Sequence, residues 1–465
     1  MVGTHKNCEL KIGVTPSRLR AYDKHCYALG MIATTTNAAS FFSIFEIMAI
    51  LITLSAIFGW INKRVFRLPV TIGLMAMSLG LSLLLVLLGL AFPPVLEEAR
   101  AFLASIDFDE TLLHGMLGFL LFAGALHVNL SDLASQKWVI TLLSTVGVLI
   151  STALIGIGSW FVLGIFGFEL RFIYCLLFGA LISPTDPIAV LAILKTLTVP
   201  KSLETKIAGE SLFNDGVGVV VFLVIFGAAG IDGGHGDGGT SLLFIIRLFS
   251  QEALGGALLG LILGYIGFVM LRAIDEYAVE ILTTLAVVAG GYALADRIHV
   301  SGPIAMVVAG LLIGNHGRAL AMSATTRRHL DMFWELIDEI LNAVLFVLIG
   351  LEVMALSHER YYTRASLVII LLVLASRFIS VVVPISLLRI RRTFTPHVVK
   401  VLTWGGLRGG ISVALALSIP RSAHGVLIPE REVILVITYA VVVFSIIVQG
   451  LTISHLIDRW HPPER

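Results

Sequence analysis

The sequence predicts an all-α polytopic membrane protein, and three observations support this fold class. Apolar residues make up 57% of the 465 residues. Charged residues make up only 14%, against roughly 25% in soluble domains. The apolar residues also gather into runs of membrane-spanning length. A net charge of +1 gives no reason to expect a nucleic-acid partner, and three cysteines exclude a disulfide scaffold and a cysteine-rich metal site.

The apolar runs predict thirteen transmembrane helices. No stretch between them is long enough to form a soluble domain, so residues 42–457 are predicted to be a single transmembrane domain. Residues 1–41 are predicted to be a polar, disordered tail, and residues 458–465 a short cytoplasmic tail. In chain order, the predicted spans are 42–62, 68–93, 109–130, 137–166, 171–195, 206–228, 250–272, 277–296, 300–314, 333–354, 365–390, 397–420 and 431–457.

The positive charges of the loops predict the orientation. Loops on the side that includes Lys63, Lys201 and Arg392 carry most of the lysine and arginine residues. Because such residues favour the cytoplasmic side, this side and the C-terminus are predicted to be cytoplasmic. An odd number of spans then puts the N-terminus outside. The basic residues of the N-terminal tail argue the other way.

The fifth span contains a helix break. Pro184 and Pro187 flank Thr185 and Asp186 in the sequence SPTDP. Each proline removes a backbone donor and disturbs the preceding turn, so the helix is expected to break near Thr185. Broken helices at membrane depth are tolerated where they line a cavity, as in the ion sites of transporters. A simple proline kink is the alternative, and the adjacent carboxylate favours a functional break.

The sixth span carries a polar stripe. At helical spacing Glu210 stacks with Asn214, and Ser211 stacks with Asp215 in the next column. Carboxylate, amide and hydroxyl oxygens suit both protons and hard monovalent cations. A stripe that only pairs with neighbouring helices is the structural alternative.

Two arginines lie at membrane depth, Arg377 in the eleventh span and Arg408 in the twelfth. Each needs an anionic or carbonyl partner, because arginine stays charged. Three carboxylates lie at similar depth, so pairing leaves one carboxylate for exchangeable charge. The glycines around Arg408 indicate a second unwound helix, although close packing also explains glycine.

Four motifs in this order resemble the monovalent cation/proton antiporters of the prokaryotic NhaP type, relatives of the animal sodium/hydrogen exchangers. They are SPTDP, GESLFNDG, LFVLIGLEV and TWGGLRGGISVALAL. The resemblance covers nearly everything after residue 42. It implies two inverted six-helix repeats in which helices 5 and 12 are broken and cross. It also implies a homodimer with a mobile core domain, in a multi-pass protein of the cell (inner) membrane.

The resemblance also implies roles for the site residues. Asp215 resembles the carboxylate that binds cation and proton in turn, and Asn214 its amide partner. Thr185 and Ser211 resemble oxygen ligands, with Asp186 beside the crossing. Two further roles concern charge: Glu210 is expected to pair with Arg377, and Arg408 to neutralise the crossing region. The third-span motif departs from the family, since Ala123 stands where many relatives carry an acidic residue.

The predicted function is therefore secondary antiport of Na⁺ or Li⁺ against H⁺, not enzyme catalysis. A single uncompensated carboxylate predicts electroneutral, one-for-one exchange, with roles in pH homeostasis and sodium tolerance. No cofactor is expected, and no metal beyond the transported monovalent cation. K⁺/H⁺ antiport by the same fold and a cation channel remain open as alternatives. An intramembrane aspartyl hydrolase is disfavoured because the chain lacks a Gly-x-Gly-Asp sequence.

Overall fold

A computed structural model describes residues 43–106, 108, 110–187, 190–191, 194, 200–230, 242–355, 360–390, 392–423 and 426–460. The predicted N-terminal tail lies outside the described residues. The described part is almost entirely helical, apart from a short hairpin of β1 (Ser422–Ala423) and β2 (Val426–Leu427). The helices are α1 (Ile44–Ile61), α2 (Val70–Ala91), α3 (Pro93–Ala104), α4 (Leu117–His127), α5 (Leu130–Leu142), α6 (Val148–Ile165), α7 (Phe172–Ile182), α8 (Lys201–Ala228), α9 (Leu242–Ala273), α10 (Tyr277–Arg297), α11 (Gly302–Leu312), α12 (Arg318–Leu320), α13 (Ala324–Glu352), α14 (Arg360–Arg389), α15 (Val398–Trp404), α16 (Gly410–Leu417), α17 (Glu430–Phe444) and α18 (Gly450–Trp460).

Each predicted span overlaps helical structure in the part of the chain that the structure describes. Among the described residues, eight helices are long and apolar enough to cross a membrane, and three shorter apolar helices accompany them. Many large apolar side chains point outward, among them Leu87, Phe161 and Leu258. Outward apolar side chains of this number need lipid around them. The chain is therefore a multi-pass membrane protein.

Some boundaries differ from the prediction. The fourth span begins at Leu130 instead of 137, because Asn129 caps the helix by accepting a hydrogen bond from the Ser131 amide. The sequence analysis also overlooked α3, which is too polar to count as an apolar run because it carries Glu97 and Glu98. The last helix extends to Trp460, three residues past the predicted end.

The helices pack as two bundles. The core bundle consists of α5–α8 and α14–α18, in which α6 packs on α7 and α14, and α8 packs on α5 and α7. The scaffold bundle consists of α1, α2, α4, α9, α10, α11 and α13, in which α13 packs on α2 and α11 on α9 and α4. Small residues permit close approach: a Cβ at Gly179 would collide with the Thr152 carbonyl oxygen, and one at Gly350 with the Ser78 side chain.

An apolar cluster lies where the two bundles meet. Leu212 of α8 packs there with Leu117 and Leu121 of α4 and with Val307 and Leu311 of α11. Leu212 is three residues before Asp215 in the same helix. The scaffold therefore presents an apolar surface to the helix that carries the polar stripe.

Two interruptions of the core helices determine the centre of the fold. The first break, residues 183–187, follows α7, and the second break, residues 405–409, separates α15 from α16. The Asp186 amide donates a 2.8 Å hydrogen bond to the Leu407 carbonyl oxygen, so the two breaks meet. The predicted interruption of both helices is confirmed.

Candidate functional site

The polar stripe of α8 is buried in the core bundle. The exposed fraction is 2% for Glu210, 1% for Ser211, 1% for Asn214 and 7% for Asp215. A Cβ at Gly218 of the same helix would collide with Pro184 Cγ, so α8 lies directly against the first break. This packing brings the stripe and the break together.

The first break is held by side chains of α8. Asn214 Oδ1 accepts a hydrogen bond from the Thr185 amide (3.2 Å), and Asn214 Nδ2 donates to Thr185 Oγ1 (2.8 Å). Ser211 Oγ donates to the Thr185 carbonyl oxygen. These bonds satisfy the backbone groups that proline frees in the helix. The structure therefore brings together Thr185, Ser211 and Asn214, and it directs the Asn214 amide to Thr185.

Glu210, in the same stripe, pairs with α14 and not with the first break. Arg377 Nη1 of α14 donates to Glu210 Oε1 at 2.5 Å, and both side chains are buried. Arg377 Nε and Nη2 also donate to the Leu402 carbonyl oxygen of α15, at 3.3 and 3.0 Å. One ion pair thus links α8 with α14 and with the helix that precedes the second break. The charge of Glu210 is compensated.

Arg408 lies in the second break and reaches into the first. Its Nη1 donates to the carbonyl oxygens of Ser183 (2.6 Å) and Pro184 (2.9 Å). These carbonyls follow the C-terminal end of α7, where the helix dipole favours a cation. Arg408 is only 2% exposed. The positive charge is therefore held at the crossing of the two breaks.

Behind Arg408 lies a chain of hydrogen bonds that the sequence did not predict. The Arg408 amide donates to Ser445 Oγ (2.9 Å), and Ser445 Oγ donates to Gln449 Oε1 (2.7 Å). Gln449 Nε2 then donates to the Trp404 carbonyl oxygen (3.1 Å). Ser445 and Gln449 lie on a wider helical turn between α17 and α18. Two isolated polar residues in an apolar run were the available signal.

Asp215 differs from the other charged residues of the core. Within the described part of the chain, no hydrogen bond or ion pair joins its carboxylate. The carboxylate of Asp186, in the first break, lies beside Gly409 of the second break. An uncompensated carboxylate of this kind can hold either a proton or a monovalent cation.

The position of the missing acidic residue is filled by apolar packing. Ala123 of α4 is buried in the scaffold beside Phe122 and Leu126. The neighbouring His127 hydrogen-bonds through Nδ1 to the Ala123 carbonyl oxygen at 2.8 Å. No carboxylate side chain is therefore available at position 123.

Known proteins resemble this chain over most of its length. The family model "Sodium/hydrogen exchanger, transmembrane" matches residues 26–459. The Na(+)/H(+) antiporter NhaP of Pseudomonas aeruginosa is 52% identical, over 89% of this chain and 96% of that protein. The Na(+)/H(+) antiporter NhaH of Halobacillus dabanensis is 35% identical, over 82% of this chain and 91% of that protein.

A solved structure shares the fold. The sodium proton antiporter MjNhaP1 from Methanocaldococcus jannaschii, at pH 8, matches with a TM-score of 0.68. The match covers 89% of this chain and 97% of that chain, at 19% sequence identity. At this identity the likeness concerns the arrangement of the helices.

Proposed function

Since this chain belongs to the sodium/hydrogen exchanger family, we propose that it exchanges Na⁺ for H⁺ across the membrane at Asp215. The observation that carries the proposal is the Asp215 carboxylate, which is 7% exposed and has no hydrogen-bond or ion-pair partner among the described residues. Relatives with 52% and 35% identity over most of their length are named Na⁺/H⁺ antiporters. Li⁺ is a second substrate of the proposed exchange.

The ligands proposed for the cation surround the first break. Thr185 Oγ1, Ser211 Oγ and Asn214 Oδ1 each take part in a hydrogen bond, and each keeps a free lone pair for a cation. Asp186 supplies a second carboxylate near Asp215. Because α8 holds the first break at Thr185 by three hydrogen bonds, these oxygens stay together. Hard monovalent cations favour such oxygen ligands.

The charges support a one-for-one exchange. Glu210 is neutralised by Arg377, and Asn214 adds no charge. In the proposal Arg408 balances the charge of Asp186, whose carboxylate lies beside Gly409 at the crossing of the two breaks. One carboxylate therefore alternates between one proton and one cation, and its net charge is the same in both loaded states. An empty, charged site is costly to move through a medium of low dielectric constant, which opposes leakage. The proposed exchange is consequently electroneutral.

The two bundles suit alternating access. The core bundle carries Asp215 and both breaks, while the scaffold bundle meets it through the apolar cluster around Leu212. In the proposal the core bundle moves against a scaffold that dimerises with a second copy. The protein works in the inner membrane with its C-terminus in the cytoplasm, as the basic loops indicate. Its physiological roles are pH homeostasis and sodium tolerance.

Two other functions use the same oxygen-lined site. K⁺/H⁺ antiport requires the same carboxylate and differs only in the preferred cation size. A cation channel needs no carboxylate that alternates between proton and cation. The burial of Asp215 favours exchange over conduction.

The decisive experiment is proton flux in proteoliposomes. A pH gradient is imposed and challenged with Na⁺, Li⁺ or K⁺, with and without a potassium–valinomycin voltage clamp. We expect Na⁺ to collapse the gradient equally with and without the clamp, and Asp215→Asn to abolish this response. Asp331→Asn is the matched control, because Asp331 pairs with Arg318 away from the breaks.

Each alternative outcome has a defined meaning. Cation flux without proton movement would replace the antiporter with a channel. An active Asp215→Asn variant would move the site to another carboxylate, and a clamp-sensitive flux would contradict the one-for-one exchange. A response to K⁺ alone would assign K⁺/H⁺ antiport.

A further inference from the structure

The chain passes between the scaffold and core bundles at three places, and one of these connections is much shorter than the others. Residues 229–241 connect α8 to α9, and residues 353–359 connect α13 to α14. By contrast, only Val128 and Asn129 connect α4 of the scaffold to α5 of the core. Both have extended backbones, and two extended residues reach about 7 Å at most. This connection, called the tether below, therefore has little slack.

A scaffold side chain holds the tether in place. Asn315 lies on the wider helical turn that follows α11. Its Nδ2 donates to the Val128 carbonyl oxygen (2.9 Å), and its Oδ1 accepts from the Leu130 amide (2.8 Å). Nδ2 also donates to the Leu311 carbonyl oxygen of α11 (2.9 Å). One amide group thus fixes the backbone at the point where α5 begins.

The scaffold around Asn315 is closely packed. A Cβ at the neighbouring Gly314 would collide with the carbonyl oxygen of Leu126, near the end of α4. A Cβ at Gly310 of α11 would collide with the Phe122 carbonyl oxygen of α4. Because α4 and α11 are in such close contact, Asn315 and the scaffold end of the tether move as one body.

The first turns of α5 are joined to the rest of the core. Asp132 pairs with Lys201 at the start of α8 (2.8 Å). The Ser135 carbonyl oxygen accepts a hydrogen bond from Arg392, which follows α14 (3.0 Å). A Cβ at Gly209 of α8 would collide with side chains of α5, so these two helices also pack closely. A rotation of α5 at the tether is therefore passed to α8, the helix that carries the polar stripe.

We propose that Asn315 is a positioning residue that makes the tether the pivot of the core bundle during transport. The proposal rests on the proposed function, since it specifies how the core bundle moves to expose Asp215 on either side of the membrane. Residues 130–165 form one continuous helix, about 50 Å long at about 1.5 Å per residue. A rotation about the tether moves each residue in proportion to its distance from the tether. The core should consequently move little at the tether end and most at the opposite end.

Transport by the full chain in proteoliposomes tests the role of Asn315. Asn315→Ala removes all three hydrogen bonds, and we expect Na⁺/H⁺ turnover to fall about tenfold because the pivot is no longer fixed. Na⁺ affinity, measured by isothermal titration, should be unchanged, since Asn315 contacts none of the ligands proposed for the cation.

Asn62→Ala is the matched control. The Asn62 side chain makes two hydrogen bonds to the Leu68 backbone across the connection between α1 and α2, which lies wholly within the scaffold. This variant should lower the Tm but keep the turnover of the wild type. Full turnover in Asn315→Ala, a loss of its Na⁺ affinity, or an equal loss of turnover in Asn62→Ala would each overturn the proposal.

Distances between spin labels test the pivot independently of transport. Labels at Ala134 and Arg328 join core and scaffold at the tether end, and labels at Glu169 and Arg297 join them at the opposite end; all four residues are exposed. The native cysteines are replaced by alanine, and labelled protein is diluted with unlabelled copies so that only distances within one chain are recorded. Between an acidic buffer without Na⁺ and an alkaline buffer with it, we expect the distance at the opposite end to change several-fold more. Equal changes at both ends, or no change at either, would overturn the proposal.

Failure of the pivot and failure of the proposed function give different results. If Asp215→Asn remained active, the exchange site would move to another carboxylate while the unequal distance changes remained. If the wild type exchanged Na⁺ for H⁺ but both label pairs changed alike, the pivot would be wrong and the exchange would stand.

Discussion

The two breaks at the centre of the core bundle are built from different residues and are held by different helices. Prolines interrupt the helix at the first break, where Ser211 and Asn214 of α8 form hydrogen bonds with the backbone groups of Thr185. Glycines form the second break, where Ser445 and Gln449 from the turn between α17 and α18 form hydrogen bonds with the backbone of Arg408 and Trp404. The two meet through a single backbone hydrogen bond.

This difference predicts that the two breaks have different roles, one in cation binding and the other in stability. The helix that holds the first break also carries Asp215, so the carboxylate proposed to exchange and its proposed oxygen ligands lie on or against the same helix. The second break carries Arg408, whose charge the first break accepts through two carbonyl oxygens. Substitutions in the first break should therefore change cation binding, and those in the second should change stability.

Among these substitutions, we expect breaking the Glu210–Arg377 ion pair to lower stability most. Glu210→Gln leaves the buried Arg377 without its carboxylate, which should destabilise the protein by about 3–5 kcal/mol. The measurement is the yield of folded protein in detergent and its denaturant midpoint. Arg318→Met removes the partly exposed Arg318–Asp331 pair and is the control, for which we expect a much smaller loss. Equal losses of stability in the two variants would contradict the prediction that the buried ion pair contributes more than the partly exposed one.

A smaller effect is expected from two glycines of the second break. A Cβ at Gly406 would press on the Arg377 guanidinium, and one at Gly409 on the Asp186 carboxylate. Gly406→Ala and Gly409→Ala should each cost about 1–3 kcal/mol of stability. Gly80→Ala is the control, because nothing among the described residues lies within 4 Å of the position that its Cβ would occupy. An unchanged Tm in Gly406→Ala and Gly409→Ala would show that the second break accommodates a Cβ at these positions.

Two serine variants with small effects compare the two breaks most directly. Ser211→Ala and Ser445→Ala each remove one buried hydroxyl, which bonds to the first break at Thr185 and to the second break at Arg408 respectively. Both should lose about 1 kcal/mol of stability. Only Ser211→Ala should raise the apparent KM for Na⁺ in the proteoliposome assay. An equal rise in both variants would mean that the two breaks do not divide these roles.

The sequence predicted those features in which charge or proline stands out against apolar surroundings. Asp186, Glu210 and Arg377 are conspicuous in apolar runs, and the prolines located the first break to within a residue. Ser445 and Gln449 were not singled out, because an isolated polar residue in a membrane helix is common. Their partners lie far along the chain, so only the folded arrangement reveals them.

The direction of the amide of Asn214 was also beyond sequence reasoning. The resemblance implied that Asn214 is the amide partner of Asp215, but Thr185 lies within hydrogen-bonding distance in the fold and takes both ends of the amide. The helix α3 was missed for a different reason. A helix of 12 residues with two glutamates is not recognised when only apolar runs are counted, so the sequence predicts a loop between spans for this segment.

The hydrogen bond between Asp186 and Leu407 makes the crossing a miniature antiparallel pairing, and such a pairing has a register. Successive residues of an extended segment point to opposite sides, so one residue added or removed before Asp186 would turn its carboxylate away from Gly409. The lengths of the two segments are therefore constrained as well as their prolines and glycines. The number of residues between the end of α7 and Asp186 therefore determines where the Asp186 carboxylate lies.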